Sequence, residues 1–331
     1  DEAADVAKRV LYEVKQPLNI QDREVRIGGS IGIAGYPQHG ADSDTLLKHA
    51  DFAMYHAKEK GGDNCQFYTA EIHQQASTRY KMEHELHIAI ENDELEVHYQ
   101  PQYDLSTGSV VGLEALSRWN SKKFGPVSPD EFISVAEETG LIVPLGKVIF
   151  NKVIKDINSW KEKGIELPTI AINLSVKQIY SDGTLAMIKS ATQDGTLDGV
   201  DLEFEITESS LMDNPQLAEK KISAIKALGV NIALDDFGTG YSSLAYLKRY
   251  PVDVLKIDRS FISDLVEDSD DREIVETIIG MARNLGLSVI AEGIESKAQA
   301  DFLMAHGCHV AQGYYFSKPL PVDDCTKLFV E

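Results

Sequence analysis

ALGVNIAL at residues 227–234, NLGLSVIA at 284–291 and AHGCHVAQ at 305–312 repeat one local phrase. In each, a helix-like run stops at a glycine (Gly229, Gly286, Gly307) and a strand-like run starts within a few residues. That is the expected αβ connection, with glycine taking the left-handed turn that ends the helix. Further out, ELEVHYQPQYDL and SVVGLEALSRW flank a Ser-Thr-Gly turn and read as a β-hairpin. Six more strand-like runs follow, separated by helical stretches. Hairpin and repeats together predict eight strands in about 240 residues, the size of a (β/α)8 TIM-type barrel. The hairpin requires the first strand to run antiparallel to the others. A doubly wound open sheet is the alternative on pattern alone.

Polar residues close or interrupt these apolar runs in sequence: Glu114, Asn173, Glu205, Asp235 with Asp236, Lys256, Glu292 and Gln312. A carboxylate inside an apolar strand is costly unless something compensates it. Strand ends of a barrel converge on one mouth, so this many at matching positions point to bound cations. Oxygen donors without paired cysteines suit Mg²⁺ or Mn²⁺ rather than zinc. Neighbours in a regular strand point to opposite faces, so Asp235 and Asp236 share a site only where the strand breaks. The run Phe237-Gly238-Thr239-Gly240-Tyr241-Ser242-Ser243 supplies that break. Two cations sharing a carboxylate would clamp an in-line displacement at a phosphodiester. Lys256 would orient the attacking water or stabilise charge on the phosphate, and Arg118 is a natural fork for a phosphate oxygen.

Each residue also has a structural reading. Glu114 would be an internally paired strand residue, Asp235-Asp236 turn chemistry and Gln312-Gly313 a bulge. Lys256 would pair with Asp258, and Gln100-Pro101 would mark a strand end. Together these readings need more basic partners at the strand ends than the sequence provides.

The 331 residues fit two domains, or one barrel with a further piece. A hydrophobic content of 43% allows a sizeable core. The net charge of −21 argues against binding polymeric nucleic acid or an anionic membrane. It leaves room for a small phosphorylated ligand held through divalent ions. Cys65, Cys308 and Cys325 are odd in number and lack metal-type spacing, so a reducing cytoplasm is expected. No run is long enough to span a bilayer and no signal peptide is visible, so no membrane contact is expected within these residues. The chain opens on Asp1 in mid-helix pattern, which predicts a piece of a longer protein whose membrane anchor, if it has one, lies upstream.

Residues 1–70 form a separate compositional unit. DVAKRVLYEV reads as helix, VRIGGSIGIAGYP as a strand ended by Pro37, and CQFYT as a terminal strand. DTLLKHADFAMYHAKEKGG reads as an amphipathic helix with Leu46, Leu47, Ala50, Ala53, Met54 and Ala57 at helical spacing, stopped by Gly61 and Gly62. A charged helix over 71–92 is expected to connect the units.

Residues 78–331 resemble an EAL-type cyclic-di-GMP phosphodiesterase domain. Glu114-Ala115-Leu116 with Ser117-Arg118-Trp119, then YQPQYDL, FISVAEETGLI, INLS, EITE, DDFGTGYSSL, VDVLKID, AEGIE and QGYYF, stand in that family's order. The resemblance implies that Glu114, Asn173, Glu205 and Asp235 ligate one metal. Asp235, Asp236 and Glu292 (directly or through water) would ligate a second, two Mg²⁺ or Mn²⁺ per site. Lys256 matches the lysine that contacts the nucleophilic water, acting with Glu292 and Glu114 in catalysis. Gln100, Arg118, Gln312 and Asp258 are implied substrate contacts. Glu208, with Glu295, is implied to hold the DDFGTGYSS loop, which the family associates with homodimer contacts through the barrel. No ligand or lysine position departs from the pattern, which implies hydrolysis of cyclic-di-GMP to pGpG. Two further readings stay open: a silent cyclic-di-GMP receptor, and a Mg²⁺ barrel enzyme using Lys256 on a carbon acid.

Residues 1–70 resemble the C-terminal half of a GGDEF diguanylate cyclase domain, through SIGIAGYP, LLKHADFAMYHAKEKG and CQFY. The signature motif is absent, and Gly61-Gly62-Asp63 falls after the helix, so synthesis of cyclic-di-GMP is not expected. Half a sheet leaves apolar surface for the barrel or a partner chain to support.

Overall fold

The computed structural model describes residues 2–20, 23–208, 211, 214–238, 247, 249–266 and 269–330. The chain forms two compact units, Asp1–Glu85 and Leu86–Glu331.

In the first unit α1 (Glu2–Val14) precedes an antiparallel pair, β1 (Leu18–Ile20) and β2 (Arg23–Val25). Then come β3 (Ile31–Ile33), α2 (Ser43–Glu59) and β4 (Cys65–Phe67), with β3 and β4 parallel. Asp42 caps α2 by accepting the Thr45 N–H at 2.9 Å. Ala53 and Ala57 bury the inner face of α2. Gly32 lets that helix settle on the strand, since a Cβ there would lie 1.9 Å from the Ala50 carbonyl oxygen. The VRIGGSIGIAGYP run forms a shorter strand than its length suggests. Upstream of β3, Gly29 donates its N–H to Asp63 Oδ1 at 3.1 Å instead of to a neighbouring strand. Helix α3 (Ala70–Glu91) follows.

The second unit contains β5 (Leu95–Asp104), β6 (Val110–Ser121), β7 (Gly125–Val127), β8 (Thr169–Asn173), β9 (Leu202–Thr207), β10 (Asn231–Phe237), β11 (Val254–Ile257), β12 (Ser288–Ala291), β13 (Val310–Ala311) and β14 (Leu320–Pro321). β7 and β14 only extend β6 and β5, and the other eight strands close a ring. Neighbours around it are parallel except at β5, which runs antiparallel to β6 and to β13. The hairpin turn between β5 and β6 sets that direction. Asp104 Oδ1 accepts the N–H groups of Ser106 (2.8 Å) and Thr107 (2.9 Å), and Gly108 takes φ 75°.

Around the ring lie α4 (Pro129–Thr139), α5 (Ile142–Glu162), α6 (Val176–Tyr180), α7 (Asp182–Gln193), α8 (Pro215–Lys226), α9 (Arg259–Ser263), α10 (Ser269–Leu285), α11 (Lys297–His306) and α12 (Val322–Lys327). Helix α5 buries Leu145, Ile149, Val153, Ile157 and Trp160, a stripe at helical spacing. Gly229, Gly286 and Gly307 take φ of 86°, 73° and 91°, the left-handed stop that the repeated phrase predicts. The fold is therefore a (β/α)8 barrel with an antiparallel first strand, and the open-sheet alternative is set aside. No helix among the described residues is long and apolar enough to cross a membrane. Thr239 to Ser243, the centre of the loop singled out above, lie outside the described residues.

Candidate active site

Lys256 organises the barrel mouth. It sits on β11 with no solvent exposure at all. Its Nζ lies 2.6 Å from Glu292 Oε1, 2.8 Å from Glu205 Oε1, 3.3 Å from Asp235 Oδ2 and 3.8 Å from Glu114 Oε2. The pairing of Lys256 with Asp258 considered from the sequence does not form. Asp258 instead caps α9, accepting the Ser260 N–H at 3.0 Å.

Strand register brings the other groups together. Gln100 of β5 faces Glu114 of β6 across the hairpin, and Asn173 of β8 is level with Glu205 of β9. Asn173 Nδ2 donates to Glu114 Oε1 at 2.8 Å. Gln312 Nε2 donates to Glu114 Oε2 at 2.6 Å and to Glu292 Oε1 at 3.0 Å. Gln100, also buried, donates to the Ser317 carbonyl at 3.2 Å. Glu114 is not at a strand end, because β6 runs on past it to pair with β7.

The Asp235-Asp236 pair is accommodated by a break in the strand. Asp236 has φ 54°, a conformation that aspartate tolerates better than most residues. The pairing of β10 with β11 shifts register between Leu234 and Phe237. Asp235 Oδ1 accepts the Asp236 N–H at 2.9 Å. Just beyond, Gly238 donates its N–H to Glu208 Oε2 at 3.2 Å, and the Glu208 N–H donates to the Asp235 carbonyl at 3.1 Å. Glu208 thus ties the end of β9 to the start of the loop after β10. Glu295 is exposed, with its N–H held by Gln299 Oε1 at 2.9 Å.

Charge at this mouth is unbalanced. Glu114, Glu205, Asp235, Asp236 and Glu292 supply five carboxyls against the single ammonium of Lys256. Burial, then the charge of Glu114, holds the Glu205 carboxyl well above its ordinary range. Burial, with Asp235 adding repulsion against the pull of Lys256, pushes Glu292 up to about 8. Burial followed by Asp235 and Asp258 pushes Asp236 up to about 6. Glu114 moves the other way: burial opposes its ionisation, but Lys256 and the amides of Gln312 and Asn173 outweigh it. Lys256 itself is held well above the usual lysine range, because its carboxylate neighbours overcome the burial penalty.

Donor chemistry and charge both fit divalent cations. The set is all oxygen, is acidic in excess, and includes the fully buried carboxyl of Glu205, which shares the one Lys256 ammonium with Glu114, Asp235 and Glu292. Among the described residues, no three His, Cys, Asp or Glu side chains form a ready cation cage. Their oxygens close on the Lys256 ammonium instead.

A cavity of about 210 Å³ opens beside this cluster, bordered by Arg118, Asn173 and Glu205 and walled by apolar residues including Ile133, Leu145 and Phe150. Half-buried Arg118 donates to its neighbour's carbonyl, Ser117 O, at 2.8 Å. The sequence reading passed over Gln178 and Gln299, both buried just beyond Asn173 and Glu292. The Ser-x-x-Gln signature of a capping box would have found them. Glu203, two positions before Glu205 and buried on the same inward-facing register, was also passed over.

A family profile described as EAL domain matches residues 83–319. A second, described as Diguanylate cyclase, GGDEF domain, matches residues 1–64. The chain is 39% identical over 322 residues to the bifunctional diguanylate cyclase/cyclic di-GMP phosphodiesterase MucR of Pseudomonas aeruginosa, covering 97% of this chain and 47% of that protein. It is 40% identical over 316 residues to the cyclic di-GMP phosphodiesterase PdeR of Escherichia coli, covering 96% of this chain and 48% of that protein. The chain spans about half the length of these curated relatives. The solved structure "PaMucR Phosphodiesterase, c-di-GMP complex" superposes with a TM-score of 0.69 at 38% identity, over 74% of this chain and 99% of that one. The EAL domain of Mycobacterium smegmatis DcpA superposes with a TM-score of 0.60 at 32% identity, over 72% of this chain and 96% of that one. Barrel, carboxylate set and matched profile agree that this chain belongs to the EAL domain family, with a partial GGDEF domain at its N-terminal end.

Proposed function

We propose that the chain is a phosphodiesterase that hydrolyses cyclic-di-GMP to linear pGpG with two Mg²⁺ or Mn²⁺ ions. The observation that carries the reading is the buried cluster of Lys256 with Glu114, Glu205, Asp235 and Glu292. Glu114, Asn173, Glu205 and Asp235 would hold one ion; Asp235, Asp236 and Glu292 the other. When bound, such ions activate water and neutralise charge on the phosphate.

The chain's own groups do the rest. Lys256 keeps its proton among the carboxylates and orients water toward phosphorus. Arg118 is placed to fork a phosphate oxygen, and the cavity beside it offers an apolar wall for part of a nucleotide. Gln100 and Gln312 present amides at the same mouth, and Asp258 lies close enough to act on Asp236. Water adds to phosphorus and gives up a proton, the bond from phosphorus to the 3′ oxygen breaks, and that oxygen takes up a proton in its turn, so none is gained or lost overall. Glu208 and Glu295 would set the adjoining loops.

We keep residues 78–331 as the phosphodiesterase unit, 71–92 as its connector and 1–70 as the partial GGDEF unit. Homodimerisation through the barrel and action in the cytoplasm belong to the same proposal. Purified chain should convert cyclic-di-GMP to pGpG in Mg²⁺ or Mn²⁺ and stop in EDTA, as followed by chromatography. Binding without conversion in either metal would replace the enzyme with a receptor.

A further inference from the structure

Two ligand-bearing strands leave the site through the same device. Ser175-Val176-Lys177-Gln178 follows Asn173, and Ser296-Lys297-Ala298-Gln299 follows Glu292. Each serine is the N-cap of a helix and each glutamine closes its capping box. A capping box needs only the oxygen of that glutamine, and it works well at a surface. Here both glutamines are 5% exposed; the amide nitrogen of Gln299 donates to another helix, and that of Gln178 packs over Gly146.

Gln299 Oε1 accepts from the N–H groups of Glu295 and Ser296, both at 2.9 Å. Its Nε2 crosses to α9, donating to Ile262 O at 2.9 Å, with Ser263 O at 3.4 Å. Helix α9 starts immediately after Lys256-Ile257-Asp258, so one amide links the exits of the strands bearing Lys256 and leading to Glu292. Gln178 Oε1 accepts the Ser175 N–H at 2.9 Å. Its Nε2 occupies the space over Gly146 of α5, where a Cβ would lie 1.7 Å away.

We infer that Gln178 and Gln299 are positioning residues that fix the loops after β8 and β12, and through them Asn173 and Glu292, against neighbouring elements. The inference rests on the hydrolytic reading above. A helix cap alone would leave the Gln299 amide nitrogen without a task. Groups that hydrogen-bond to metal ligands typically change affinity or turnover about ten- to a hundredfold when altered; these glutamines act one step further out, so the lower end of that range is expected.

The test uses the full chain. Gln299→Glu keeps the capping oxygen and removes the donor to Ile262. It should lower kcat about tenfold and weaken Mn²⁺ binding by calorimetry by a similar factor. KM should stay near the parent's, while the thermal midpoint in EDTA falls because a buried donor to Ile262 O is lost, so turnover is read well below that midpoint. Parental kcat and Mn²⁺ affinity would overturn the inference. So would a kcat that returns to the parent's when the assay is run well below the midpoint, since that marks a stabilising cap only.

Gly146→Ala gives the matching test for Gln178. Its methyl should displace the Gln178 amide and lower kcat about tenfold. In a Gln178→Ala background the space is vacant, so the same change should add nothing. Additive losses would show that the two residues act separately. A parent chain that binds Mn²⁺ without turnover sinks the phosphodiesterase reading and leaves calorimetry to decide this one. A parent that binds no Mn²⁺ ends both.

Discussion

Glu114 and Gln312 are 198 positions apart in the chain and 2.6 Å apart in the barrel. The same amide nitrogen reaches Glu292 at 3.0 Å, so one donor bridges carboxylates from opposite sides of the closing seam. Gly313 makes that placement possible, because a Cβ there would lie 2.2 Å from both the N and the O of Ile294. Gly313→Ala should therefore push the Gln312 segment outward. We expect a loss of about 1–3 kcal/mol in urea unfolding and a fall in kcat of about tenfold or more.

Lys256 has carboxylates on several sides and no exposure to solvent. Removing one member of a buried ion cluster leaves the others uncompensated, at a cost of about 3–5 kcal/mol. Lys256→Met should abolish turnover and lower the unfolding midpoint in EDTA. Added Mn²⁺ should recover part of the lost stability, because it supplies the missing positive charge. Recovery is read by differential scanning with and without chelator.

Glu205 separates stability from metal binding. Its carboxyl is held above the ordinary range by burial and the charge of Glu114, so burial opposes the charge that a cation would need there. Glu205→Gln removes that charge and keeps the shape of the side chain. The midpoint in EDTA should hold or rise, while Mn²⁺ affinity falls by about a hundredfold. Calorimetry and melting curves on one preparation check both halves.

The raised carboxyls also fix a pH dependence. Glu292 rises from 4.5 to about 8 and Asp236 from 3.8 to about 6. Between their unfolded and folded values the folded chain binds the extra protons, so stability must fall as pH rises. In EDTA the midpoint should drop between about pH 5 and 8. Cation binding must displace those protons, so Mn²⁺ should flatten the slope. Calorimetric titrations in buffers of different ionisation enthalpy should register proton release.

Much of this was legible in the sequence. The repeated glycine-to-strand phrase and the Ser-Thr-Gly turn encode local backbone choices, and those choices determine the ring and its antiparallel first strand. The carboxylates were legible because charged residues inside apolar strands are rare and costly. What could not be read was long-range: that Lys256 pairs with Glu205 and Glu292 rather than Asp258, and that Glu114 lies inside a strand prolonged by β7. Both depend on which strands become neighbours, which no short window of sequence reports. Gln178 and Gln299 were readable as caps, but their nitrogens meet residues 32 or more positions away.

Stability of the barrel away from the mouth should be separable from activity. Tyr99 donates to Asp156 Oδ2 at 2.7 Å beside Trp160, whose Nε1 donates to Thr326 Oγ1 at 2.7 Å. Tyr99→Phe should lower stability by about 1 kcal/mol and leave kcat unchanged. Urea titration and a turnover assay on the same variant test this.

The seam between β5 and β13 gives the enzyme a property in time as well as in space. Of the eight ring strands β5 is made first and β13 last, so the ring stays open until the barrel's own strands are all made. A chain interrupted before Gln312 would already carry Glu114, Asn173, Glu205, Asp235, Lys256 and Glu292, but without the amide that bridges Glu114 and Glu292. On the proposed reading, the site would thus be completed in one step, when the last ring strand joins the first.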